Sequence, residues 1–194
     1  LLFIHESIQK HKNKKAIYIT GQSVLKNGIR KNLPVEKIVN SSPTFFFKNT
    51  IITGRVAISS KISKEFKFNT DYIISEDTDL WVRISCKYPD IIQIKYHTLI
   101  YRVHDFNSVN PQKFNAYLER KRTLQKIYEK NIEKLDKKIV YKIINNCNFG
   151  IYTYYKTNQY FFKAFYSMVK SIFELPSHRL KEKVYLLVTV FNRK

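Results

Sequence analysis

The stretch Ile73-Ile74-Ser75-Glu76-Asp77-Thr78-Asp79-Leu80-Trp81-Val82-Arg83-Ile84-Ser85 decides how this chain is read. Ser75 is suited to cap a helix, and Glu76, Asp77 and Asp79 fill a first turn, where carboxylates complement the helix dipole. Leu80, Trp81 and Ile84 then form a buried stripe, so Trp81 reads as core. Asp79 and Arg83 make an i,i+4 pair, expected on the exposed side. Asp71, Glu76, Asp77 and Asp79 place four of the chain's fifteen acids within nine positions of a protein of net charge +20.

Short strand patterns surround this helix. Ala16 to Thr20 (AIYIT) is a β-rich run closed by Gly21. Before it, Leu1 to Lys10 has helical spacing, with Leu1, Ile4 and Ile8 on one face, and a basic run follows from His11 to Lys15. Residues 22 to 43 read as irregular, with a turn at Asn27-Gly28 and interruptions at Pro34 and Pro43. Thr50 to Ser59 is a second β-rich stretch, in which Gly54 suggests a bulge or a close approach. Beyond Pro89, Ile91 to Lys95 and Leu99 to Val103 read as two further short strands.

From Pro111 the period changes to that of helices. Phe114, Tyr117, Leu118, Leu124, Ile127 and Tyr128 make one apolar stripe, which Ile139, Val140, Ile143 and Ile144 continue. Residues 151 to 173 read as a helical hairpin broken at Thr157-Asn158-Gln159, and Val184 to Phe191 closes the chain. In the second arm, Phe161, Phe162, Phe165, Met168 and Phe173 oppose Lys163, Ser167, Lys170 and Ser171. The expectation is that these apolar positions pack against a domain; the alternative is a basic amphipathic helix resting on an acidic membrane. The division falls near residue 110: α/β before it and all-α after.

A chain of 194 residues with 44% hydrophobic and 26% charged residues is globular in composition and not wholly disordered. Its 35 Lys and Arg against 15 Asp and Glu favour an anionic partner: nucleic acid, a phosphorylated substrate or an acidic membrane face. Cys86 and Cys147 lie far apart, with no C-x-x-C, and read as free thiols of a reducing compartment. The longest apolar runs are well short of the ~20 residues that span a bilayer. Leu1 to Ile4 is too short for the apolar core of a signal peptide, and the start without Met suggests a fragment or a processed chain.

Asp77 is the candidate for chemistry. A carboxylate held at a helix start is suited to act as a general base, whereas Asp77-Thr78-Asp79 as a metal-binding D-x-D is common by chance. The neighbouring words extend the argument. ISEDTDLWVRI at 74–84 resembles the E-D-x-D-L-W-x-R segment of family 2 glycosyltransferases. NTIITGRVAISSKI at 49–62 is similar to the strand before that segment, Phe66 and Phe68 stand where the family often has an aromatic, and LIYRVHDFNSVN at 99–110 resembles its closing strand and Y-R-x-H-x-x-S loop.

The resemblance implies an α/β fold: a partial GT-A-type, Rossmann-like transferase domain over residues 1–110, followed by an all-α extension over 111–194. It implies that Asp77 deprotonates the acceptor hydroxyl and that Glu76 contacts acceptor hydroxyls. Arg102 and His104 are implied to lie near the leaving diphosphate, with His104 also a possible contributor to the metal site. Arg55 departs from the family's small residues and is expected to face phosphate, a charged acceptor or solvent. The implied partners are a nucleotide-sugar donor and a glycan or lipid-linked acceptor, with a divalent metal, Mn or Mg, as cofactor. The implied place is the cytoplasm, with peripheral contact to the acidic inner face of the membrane.

No D-x-D precedes Asp77, and nothing before residue 45 reads as the family's nucleotide-binding half. The chain is therefore expected to hold the acceptor half, and not to transfer sugar by itself. Two rival readings are a basic nucleic-acid-binding protein and an inactive transferase remnant. Against the first, the basic residues are spread along the chain, and no RRM, KH, zinc-finger or helix-turn-helix wording occurs.

Overall fold

The computed structural model describes residues 2–11, 15–36, 38, 41–103 and 116–174. Among these, helix α1 (Leu2–His11) leads into strand β1 (Ile17–Lys26) and strand β2 (Ile29–Asn32). Helix α2 (Pro43–Lys48), a 3-10 turn at Thr53–Arg55, strand β3 (Val56–Ala57) and helix α3 (Ser60–Glu65) come next. Helix α4 (Glu76–Lys87) and strand β4 (Ile91–Arg102) complete the α/β part, and α5 (Ala116–Lys130), α6 (Lys137–Thr157) and α7 (Phe161–Glu174) follow. The α/β class read from the sequence is present, built on a mixed four-stranded sheet.

β1 organises that sheet. One edge pairs antiparallel with β3 at Tyr18 and Ile19 and with β2 from Ser23 to Lys26, while the other runs parallel to β4. Ala16, Ile17 and Ile19 are fully buried, as expected of an apolar run covered on both faces. The strand does not end at Gly21. There the β1–β4 register shifts, and the His97 ring lies so close that a Cβ on Gly21 would sit 2.9 Å from it. The interruption read between Lys95 and Leu99 is this irregularity within one long strand, which corrects the expected pair of short strands.

Two further expectations are corrected. Part of the supposedly irregular stretch 22–43 is a β-hairpin, whose turn at Asn27 (φ 50°) and Gly28 (φ 77°) has the positive angles that match strand twist. The β-rich stretch 50–59 is mostly not strand: Gly54 lies against the Leu99 side chain, and the chain turns there before a two-residue β3.

The main core joins both parts of the chain. Phe45, Phe46 and Phe47 of α2 and Trp81, Val82 and Ile84 of α4 pack with Leu124 and Ile127 of α5 and with Val140, Ile144 and Cys147 of α6. The boundary read near residue 110 falls in the stretch 104–115, outside the described residues. Ile4 and Ile8 of α1 pack against Ala16, Tyr18 and Ile94, as their spacing predicted. Asp136 caps α6 by accepting from the Lys138 and Ile139 backbone N–H groups at 2.8 and 3.2 Å. Both cysteines are free, and burial pushes their thiols up, away from reactivity.

α7 packs through small and flexible side chains beside its aromatic residues, and not through the rings. Ala164 and Met168 are buried against Tyr152 of α6, while Phe161, Phe162, Phe165 and Phe173 lie exposed. The expectation that these five apolar positions pack against a domain is thereby corrected for the four phenylalanines and met by Met168.

Candidate active site at the start of α4

α4 is held by its apolar stripe and by one polar anchor. Leu80, Trp81, Val82 and Ile84 are buried, and the Trp81 indole N–H donates to the Ile51 carbonyl at 2.8 Å. A buried indole needs such a partner, so Trp81 belongs to the core, as predicted. The entry to the helix differs from expectation. Ser75 has φ 66°, in the left-handed region, and its hydroxyl caps nothing; its carbonyl accepts the Asp79 N–H at 3.1 Å. In place of a serine cap, Asp77 Oδ1 accepts the Thr78 backbone N–H at 2.7 Å.

Asp77 is half-buried on the first turn. Burial pushes its carboxyl above the usual aspartate range; the Thr78 N–H opposes this, the Glu76 charge adds to it, and the Arg120 charge again opposes it. Such a carboxylate is more basic than one in water, as a general base requires. Glu76, half-buried beside it, starts the helix.

Asp79 is not on the exposed side. It is buried, and its carboxylate accepts from Arg83 Nε at 2.8 Å, while Arg83 Nη2 donates to the Lys67 carbonyl at 2.7 Å. The i,i+4 pair exists, but it fastens α4 to the chain before it. Asp77 and Asp79 therefore do not act as a D-x-D pair. Among the described residues no three His, Cys, Asp or Glu side chains converge, and His104, which the resemblance implied near the metal, lies outside them.

Arg120 is a neighbour that sequence reading missed. From α5 its Nη2 donates to Thr50 Oγ1 at 2.9 Å, its charge bears on Asp77, and its Nε is buried without a hydrogen-bond partner. Nothing in a run of helical residues signals this; only the tertiary placement of α5 beside Thr50 brings it in.

Arg55 occupies a different place. It is buried, its Nε donates to the Thr20 carbonyl at 2.8 Å, and its Nη1 donates to Glu36 Oε1 at 2.8 Å with a second, parallel bond to Oε2. The expectation that Arg55 faces phosphate, an acceptor or solvent is corrected: both edges of its guanidinium hold the chain. Arg102 is exposed at the end of β4, opposite Leu25 of β1. His104 and Ser108 lie outside the described residues. Phe66 is half-buried against Tyr88 with ring centroids 6.2 Å apart, and Phe68 is exposed.

Two clefts lie away from Asp77. One, of about 450 Å³, runs between α5, α6 and α7 and is lined by Lys121, Asn148, Tyr155, Phe162, Tyr166 and Lys170 among others. The second, of about 640 Å³, is lined by Val35, Glu36, Ile38, Ser41, Ile91, Gln93 and Lys95. Among the described residues no helix is long and apolar enough to cross a membrane. Comparison of the chain with protein-family models, with curated proteins and with solved structures returns no match.

Proposed function

We propose that the chain forms the acceptor side of an inverting, GT-A-type glycosyltransferase of family 2, with Asp77 as its general base. In the reaction Asp77 takes the proton of an acceptor hydroxyl. The hydroxyl oxygen bonds to the anomeric carbon of the donor, and the nucleoside diphosphate leaves from the opposite face with the bonding electron pair. Glu76 accepts hydrogen bonds from neighbouring acceptor hydroxyls, and Arg102 and His104 add positive charge towards the departing diphosphate. The donor is a nucleotide sugar bound by a nucleotide-binding half supplied from outside residues 1–194. The acceptor is a glycan or a lipid-linked saccharide met in the cytoplasm.

One observation carries this reading: a half-buried Asp77, raised above the ordinary range by burial and faced by the Arg120 cation, within the word S-E-D-T-D-L-W-V-R. A carboxylate used only to complement a helix dipole needs neither the burial nor the facing cation. The test is Asp77→Asn in the gene product purified from its own cells, with labelled nucleotide sugar followed into endogenous acceptor. Transfer is expected to fall by about 10²–10⁴ with donor binding unchanged. Turnover that survives the substitution sinks the assignment.

A further inference from the structure

The exposed side of α7 is the most unusual surface of the described residues. Phe162 is 93% exposed, Phe173 82%, Phe161 69%, Tyr166 66% and Phe165 60%, while Met168 and Ala164, next around the helix from Phe161, are buried. At 100° per residue these five rings fill one arc of the helix, and Lys170 and Lys163 stand at its border. A contiguous aromatic arc of this kind marks an interaction face.

Charge selects the partner. Over α6 and α7 the charged residues are Lys137, Lys138, Lys142, Lys156, Lys163 and Lys170 against a single acid, Glu174 at the end of α7. A second copy of the same surface would bring six lysines against six with one acid on each side as counter-charge, and an apolar protein groove would not use them. Lys163 lies over the Tyr160 and Tyr155 rings at 5.3 and 5.9 Å, which keeps its ammonium at the edge of the aromatic arc. Phenylalanines outermost, tyrosines and lysines at the rim, is the order in which a bilayer interface offers acyl chain and then anionic headgroup.

We propose that α7 docks in the plane of an anionic phospholipid surface, inserting Phe161, Phe162, Phe165 and Phe173 to the level of the upper acyl chains, with Lys163 and Lys170 at the phosphates. The contact is peripheral: α7 is 14 residues long, too short to span. The inference is independent of the transferase reading, because it uses no residue of the α4 site, so the two stand or fall separately.

The test is co-sedimentation of the full chain with vesicles of phosphatidylglycerol and phosphatidylcholine, and with phosphatidylcholine alone. Binding is expected to the anionic vesicles, weakening as salt is raised. Phe162→Ala, Phe165→Ala and Phe173→Ala together leave the net charge intact. They are expected to weaken binding about tenfold or more, with the circular dichroism and thermal midpoint unchanged. Equal binding by this triple variant would reduce the effect to general electrostatics of a +20 protein and overturn the proposal. So would a full chain inert to anionic vesicles while a chain ending at Glu174 binds them, since residues 175–194 would then be the occupant. A dimer in gel filtration that the triple variant abolishes would assign the face to a second copy and equally overturn it.

Discussion

Arg120, on α5, donates to the Thr50 hydroxyl at 2.9 Å and sets its positive charge against Asp77 on α4. The first helix after the sheet thus takes part in the electrostatics of the candidate base. Removing that charge takes away an effect that lowers the Asp77 carboxyl. Arg120→Met is expected to raise Asp77 further and to move the acidic limb of the pH–rate profile to higher pH. Arg120→Lys is expected to keep the limb near its wild-type position. A profile unmoved by Arg120→Met contradicts the coupling.

Asp77 is raised by burial, so protonation of its carboxyl is linked to folding. A group with a raised folded-state value gives its stabilisation below the unfolded value and loses it as pH rises through the folded one. At neutral pH, Asp77 therefore weakens the fold. Asp77→Asn, neutral throughout and still able to accept the Thr78 N–H, is expected to raise the thermal midpoint at pH 7. The gain should disappear in acid, below the ordinary aspartate range. Melting curves across that pH span check the sign; a midpoint lowered at pH 7 speaks against a raised carboxyl.

The Arg55–Glu36 pair is the opposite case. Burial alone would raise the Glu36 carboxyl, but hydrogen bonds and charge from Arg55 outweigh it and hold the group below its ordinary value. Its stabilisation is present above the ordinary glutamate value and is lost as pH falls through the lowered one. Arg55→Ala leaves Glu36 and the Thr20 carbonyl without their partner, at a cost of about 3 kcal/mol. Urea titrations are expected to show that deficit at pH 7 and a smaller one in acid. A loss below about 0.5 kcal/mol would place the pair among surface ion pairs of little consequence.

Gly150 lies inside α6 where a Cβ would sit 2.2 Å from the Tyr117 ring of α5. Alanine would favour the helix by about 1 kcal/mol, yet the ring cannot keep its place. Gly150→Ala is expected to destabilise by about 1–3 kcal/mol, measured by chemical denaturation. In a Tyr117→Ala background Gly150→Ala should cost little or nothing further, because the clash then has no partner.

Much of this fold is visible in residue patterns, and the exceptions have physical causes. α4 is legible because acids at its start and an apolar stripe agree with each other. β1 is legible where it is apolar, from Ala16 to Thr20, and invisible beyond Gly21, where Gln22 and Lys26 give no strand signal. β2 is hidden altogether, since all four of its residues are exposed and only Asn27-Gly28 betrays the turn. Asp79 shows what spacing omits: i,i+4 gives the partner but not whether the pair faces water or the chain before it. α7 misleads because the largest apolar residues are the ones left outside, and small Ala164 and flexible Met168 make the packing. At the site, Asp77 and Glu76 are readable from the helix start. Arg120 is not, because its contact with Thr50 depends wholly on tertiary packing.

The most direct test of the central claim is acceptor-dependent sugar transfer by the purified gene product, wild type beside Asp77→Asn and Asp77→Glu. Donor binding should be measured on the same samples. The account predicts transfer by the wild type, loss of about 10²–10⁴ in Asp77→Asn, partial recovery in Asp77→Glu, and equal donor binding in all three. Transfer undiminished by Asp77→Asn, or a wild-type gene product that moves no sugar from any nucleotide donor, would contradict it.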